Sequence, residues 1–161
     1  MFAQICFWST LLVIFLAGIA YAISLKVRTA KARNGLKYHE ECEIIRIALA
    51  GKKFSVWIRT QKEKKTDMET ALIGRMVDHG LTVVDKRFDE IPEPPEGVIA
   101  IRGAYNFVVD ITGNTHYLDM RAVSIDSETK VAQLRAARHF SGNSMEAVAH
   151  AVLLYLSEVL K

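Results

Sequence analysis

The sequence predicts an α+β protein. An N-terminal transmembrane helix is followed by a mostly antiparallel sheet with two helices packed on one face. Three observations carry this. A long apolar run opens the chain, residues 105 to 122 alternate between apolar and polar, and two stretches have apolar residues at helical spacing.

Ile5 to Leu25 holds no charged residue. At about 1.5 Å per residue, a helix over this run reaches roughly 30 Å, the thickness of a bilayer's hydrocarbon core. Ala20-Tyr21-Ala22 has the small-x-small form of a signal-peptide cleavage site, but Met1 to Gln4 bear no positive side chain. The expectation is a retained anchor over residues 1–25.

Lys26, Arg28, Lys31, Arg33 and Lys37 follow directly, and Asn34-Gly35 reads as a helix stop. Residues 26–42 are therefore expected to be a basic juxtamembrane linker touching the membrane surface, because anionic headgroups attract such side chains. Residues 26–65 carry twelve basic and four acidic side chains, and residues 66–161 carry nine and fourteen. Charge of this kind beside an apolar span favours a cytosolic soluble part. No aromatic-basic motif accompanies it, so nucleic acid is not an expected partner.

The globular part is expected over residues 43–161. Ile45, Ile47 and Leu49, then Phe54, Val56 and Ile58, alternate around Gly51 and predict two strands in a hairpin or one bent strand. Thr66-Asp67-Met68-Glu69 has the form of a capping box. Met68, Leu72, Ile73, Met76 and Val77 follow at helical spacing, with Gly80 as the stop. Gly74 within this helix suggests a close packing contact. Leu81 to Val84 reads as a short strand and Phe88 to Gly97 as a proline-bearing loop. Val98 restarts the sheet.

A two-residue turn at Gly113-Asn114 would pair Asp110 with Tyr117, Val108 with Asp119 and Asn106 with Arg121. It sorts Tyr105, Phe107, Val109, Ile111, His116, Leu118, Met120 and Ala122 onto an apolar face. A second turn is predicted at Asp126 to Thr129, after which Ala132, Leu134, Ala136 and Phe140 share one side. Asn143 is the expected N-cap of a last helix whose buried stripe is Met145, Val148, Ala149, Val152, Leu156, Val159 and Leu160. Leu154 and Tyr155 fall off that stripe and form the candidate interaction surface.

The chemistry-bearing residues form no recognised motif. Cys6 and Cys42 are too far apart in kind, one apolar and one soluble, to form a disulfide, and no zinc spacing is present. His39, His79, His116, His139 and His150 make no metalloprotease pattern. His116 is expected on the apolar hairpin face. Asp110 and Asp119 share the polar face, with Arg121 and Arg135 as expected partners. Ala50-Gly51-Lys52-Lys53 lacks the rest of a phosphate loop. The expectation is a non-enzyme with no catalytic, cofactor-binding or metal residues.

Three stretches carry a resemblance. DHGLTVVDKR is a helix end leading into a strand, VIAIRGAYNF is a strand reading into a glycine, and HYLDMRAVSIDSETKVAQ is strand, turn and return strand. Over roughly residues 44–160 the chain resembles a group of small bacterial envelope domains. The group includes the curli secretion channel subunit, FlgO, PelC and the lipoprotein activators of penicillin-binding proteins. Lys130 follows Thr129 where that group has a glycine.

The resemblance implies a non-catalytic assembly role in the bacterial envelope. The expected protein is a single-pass inner-membrane component of a secretion, conjugation or surface-appendage apparatus. Its partners would be the lipid bilayer, further copies of itself and other envelope subunits. The charge pattern favours a cytosolic soluble domain and the resemblance a periplasmic one. The alternative is a ligand-binding or regulatory module on the cytosolic membrane face.

Overall fold

A computed structural model describes the backbone of residues 2–60, 67–84, 94–111 and 113–161, and their side chains apart from residues 2–18, 20 and 110. The chain divides into two compact units, Met1–Glu41 and Cys42–Lys161.

Helix α1 spans Phe2–Ala48. Asn34-Gly35 does not stop it, and Gly35 meets nothing within 4 Å. No helix of the described residues is long and apolar enough to cross a membrane. Most of the Ile5–Leu25 run lies outside the described side chains.

The first strand pair expected from the sequence is not formed. Residues 45–48 close α1, and Ile45 and Leu49 are fully buried while Ile47 is 72 % exposed. The i, i+4 spacing of Ile45 and Leu49 thus decided the conformation over the i, i+2 alternation that passes through Ile47. Gly51, at φ +73, takes the chain out of the helix in a conformation glycine adopts without penalty.

Strand β1 (Lys53–Thr60), helix α2 (Asp67–Asp78) and strand β2 (Thr82–Val83) follow. The end of α2 is a Schellman motif. Gly80 N–H donates to the Val77 carbonyl and Leu81 N–H to the Met76 carbonyl, both at 2.9 Å, with Gly80 at φ +71. Leu81 is buried beyond it. Thr66 of the expected capping box lies outside the described residues. The Glu69 carboxylate is buried and accepts the Ile58 N–H at 3.0 Å, fastening α2 to β1. Gly74 is exposed with nothing within 4 Å, so no close contact explains it.

Strands β3 (Val98–Asp110), β4 (Gly113–Ile125) and β5 (Ala132–Gly142) form a meander, and helix α3 (Met145–Val159) closes the chain. The sheet order is β2-β1-β3-β4-β5. β1 runs parallel to β2 and to β3, whereas β3–β4 and β4–β5 are antiparallel and supply most of the paired residues. Helices α2 and α3 pack on one face, with Phe54, Ile101, Leu118, Met120, Met76, Val152 and Leu156 in a single core.

The hairpin register differs from the expected one. Asp110 faces Gly113, Phe107 faces His116, and Asn106 faces Tyr117. The turn therefore lies between Asp110 and Gly113, with Gly113 as the first residue of β4 at φ +134. The displacement moves each strand by an even number of residues, so the apolar and polar faces survive it. Leu118, Met120 and Ala122 are buried, while Val109 and Ile111 project into solvent at the tip.

The Asp126 turn forms as expected. Its carboxylate accepts the N–H groups of Glu128 at 3.1 Å and Thr129 at 2.9 Å and the Thr129 hydroxyl at 3.1 Å. Lys130 adopts the left-handed conformation at φ +56. A bulge then interrupts β4–β5. Ala122 faces Ala136, but Val123 faces Leu134, which leaves Arg135 as the extra residue. This turns Leu134 out to 61 % exposure, while Ala136 and Phe140 stay buried.

The N-cap of α3 is Ser144, one residue later than expected. Its hydroxyl accepts the Ala147 N–H at 3.1 Å. Leu153, absent from the expected stripe, is fully buried, and Val159 is 40 % exposed.

Candidate functional site

The face of the sheet away from α2 and α3 carries the polar residues of the meander. Strand alternation sets them there. Trp57 pairs with Arg102 between β1 and β3, Arg102 lies directly opposite Arg121 on β4, and Arg121 opposite Ala137 on β5. Ala104 pairs with Asp119, and Asp119 with His139. These residues line an open concavity of about 630 Å³, within the size range of ligand sites.

Among the described residues, its lining holds more basic than acidic side chains. The Arg59 guanidinium lies 4.1 Å from the Trp57 ring centre, a cation–π arrangement that fixes the arginine head beside the concavity. Arg102 and Arg121 place two guanidinium-bearing side chains directly opposite each other on β3 and β4. Among the described residues, Asp119 is the one acid lining the concavity, and its carboxylate is hydrogen-bonded to His139 Nδ1 at 2.7 Å. Tyr117 stacks on the His139 ring at 5.7 Å.

The partners expected for the hairpin acids are corrected here. Asp119 pairs with His139, and Arg135 reaches Ser124 at 2.7 Å and Asp126 at 4.0 Å. The side chain of Asp110 lies outside the described residues. His116 sits on the helix side of the hairpin. Its Nδ1 is hydrogen-bonded to the Tyr105 hydroxyl at 2.7 Å, and its ring lies 4.7 Å from that of Phe107. Burial, with Asp67 adding to it, pushes the Tyr105 hydroxyl above its ordinary pKa.

Lys26, Arg28, Lys31, Arg33 and Lys37 are all exposed along α1, and Lys37 lies 3.6 Å from Glu41. Leu154 and Tyr155 are half-buried and pack against the core. The Tyr155 ring meets Phe140 edge-on at 5.7 Å, and the Arg138 guanidinium lies 5.0 Å from its centre.

A second constellation, which the sequence reading missed, lies in the same unit. Cys42 in the last two turns of α1, His79 just after α2 and His150 in α3 bring their ligand atoms within 4.8 Å of one another. His79 is buried, and its Nε2 has no hydrogen-bond partner among the described residues. Burial foremost, then the charges of His150 and Arg75, pulls the His79 imidazole below its ordinary pKa against the opposing effect of Asp78. Long stretches of chain separate the three residues, so no spacing rule could reveal them.

No protein-family model and no curated protein matches the chain. Among solved structures, the chain is similar to a hypothetical protein from Chlamydia trachomatis. The TM-score is 0.46 at 6 % identity, covering 68 % of this chain and 98 % of that one.

Proposed function

We propose that this chain is a membrane-anchored, non-catalytic assembly component of a bacterial envelope apparatus. Its open sheet face docks an acidic segment of a partner protein. The observation that carries the reading is the cross-strand pair Arg102 and Arg121 beside Trp57 in the concavity. Two guanidiniums on one open face offer an anion donors from two adjacent strands. Arginine also grips carboxylates in a forked, two-bond geometry, and tryptophan offers a flat apolar contact next to it. A peptide carboxylate between the two guanidiniums, with its backbone across Trp57 and Ala104, contacts both.

The anchor rests on the uncharged run Ile5–Leu25 and the basic residues after it. Ile19, Tyr21, Ile23, Leu25 and Val27, the described large apolar side chains in and just past this run, are all exposed on α1, which is consistent with a lipid covering. Inner-membrane placement and contact with further envelope subunits follow the likeness to the envelope domains named above. Self-association would use a surface other than the β5 edge. Arg135, Arg138 and the bulge mark the β5 edge, and such features discourage edge-to-edge pairing.

The test is a titration of the full-length protein in detergent, with Trp8→Phe leaving Trp57 as the sole tryptophan. A short oligoglutamate peptide should change the Trp57 emission saturably, and salt should weaken the effect. The Arg102→Gln, Arg121→Gln double variant should lose it. A response that survives the double variant, or no response at all, contradicts the reading.

A further inference from the structure

We propose that Cys42, His79 and His150 form a binding site for a zinc-class divalent ion. The protein would supply three ligands and leave the fourth position to water. The three side chains come from three places in the fold, the last two turns of α1, the residue after α2 and the middle of α3, all within the unit Cys42–Lys161. One thiol and two imidazoles form a donor set suited to zinc, and three protein ligands with one open position is an established zinc arrangement.

The geometry is close to what the ion requires. With Zn–S near 2.3 Å and Zn–N near 2.0–2.1 Å, a tetrahedral site separates its ligand atoms by roughly 3.3–3.6 Å. The ligand atoms here lie within 4.8 Å of one another. Closing on an ion needs a movement of about 1 Å, which side-chain rotation supplies without displacing a helix.

The independent observation is His79 itself. Its relative exposure is 8 %, and Nε2 is buried with no hydrogen-bond partner among the described residues. Burying a polar nitrogen without a partner costs free energy, so such an atom in a native fold calls for an explanation. A bound ion supplies one. The backbone around His79 is held firmly, because the residue lies between the last turn of α2 and the Schellman glycine Gly80. Cys42 is a free, half-buried thiol. Occupied, the site would tie the start of the globular unit to both helices that cover its sheet.

The test uses the full-length protein in detergent, stripped of metal and kept reduced with a non-thiol reductant. Cobalt(II) replaces zinc as the probe, since its spectrum reports both a thiolate bond and tetrahedral geometry. One equivalent of cobalt should give a thiolate charge-transfer band and tetrahedral ligand-field bands, and zinc should abolish both. Cys6→Ser should leave the spectrum unchanged. Cys42→Ser should remove the charge-transfer band, and His79→Gln or His150→Gln should weaken binding by more than about tenfold.

Zinc should also raise the melting temperature of the parent protein but not that of Cys42→Ser. This second readout covers a histidine variant that fails to fold. Absence of the cobalt band together with no zinc-induced rise in melting temperature overturns the proposal. So does a band that persists in Cys42→Ser. Rapid alkylation of Cys42 that excess zinc does not slow would mark the cluster as a reactive thiol beside two histidines, and would overturn it too.

Discussion

A Cβ placed on Gly103 would lie 2.8 Å from Leu118 Cδ1 and 3.1 Å from the Asp119 carbonyl oxygen. Leu118 is fully buried, so its methyl group has little room to retreat, and the carbonyl belongs to the adjacent strand. Gly103→Ala should therefore destabilise the globular unit by about 1–3 kcal/mol, the usual penalty for overpacking. Urea unfolding followed by far-ultraviolet circular dichroism measures it.

Gly74 presents the opposite case. It sits inside α2, is exposed and meets nothing within 4 Å. Gly74→Ala should stabilise the protein by up to about 1 kcal/mol through helix propensity alone. A lower melting temperature in this variant would mean that the glycine serves a contact.

Glu69 tests the joint between α2 and β1. Its buried carboxylate accepts the Ile58 N–H at 3.0 Å. Glu69→Ala leaves that N–H without this acceptor and should cost about 1–3 kcal/mol. Glu69→Gln keeps an acceptor oxygen, so its loss in denaturant midpoint should be the smaller of the two.

Asp126 predicts a pH dependence. Hydrogen bonds from the Thr129 N–H, the Thr129 hydroxyl and the Glu128 N–H hold its carboxyl below the ordinary value of 3.8. A group with a depressed folded-state pKa contributes stability above its unfolded value and loses it as pH falls through the folded one. Parent protein and Asp126→Ala should therefore differ in stability by a constant amount near neutral pH. The difference should shrink as the pH drops below the ordinary carboxylate range. Unfolding midpoints measured across that range check it.

How far the sequence was legible depends on whether the deciding interaction is local. The Asp126 turn and the Gly80 stop were readable because each is built from residues within a few positions. The hairpin faces were readable because alternation sets them. The register was not, because Gly113-Asn114 looks like a turn centre while Gly113 pairs with Asp110. Leu134 was misplaced for a related reason: the bulge at Arg135 reverses the alternation, and only the strand opposite reveals it. The start of the globular unit was misread because Ile45 and Leu49 fit both periods, and the exposed Ile47 between them completes a false strand alternation. The candidate sites were the least legible. Arg102 meets Arg121, and Cys42 meets the two histidines, only through tertiary folding.

Arg121 decides the central claim, that the open sheet face is an acceptor for acidic segments. Arg121 is exposed, so Arg121→Gln should leave the fold as stable to within about 0.5 kcal/mol. The measurement is the affinity of the full-length Trp8→Phe protein for an oligoglutamate peptide, read from Trp57 emission beside the melting temperature of the same sample. The account predicts a loss in affinity of about tenfold, equivalent to about 1.4 kcal/mol, with no fall in melting temperature. Unchanged affinity, or a melting temperature that drops markedly, would contradict it, because Arg121 would then serve the fold and not a partner.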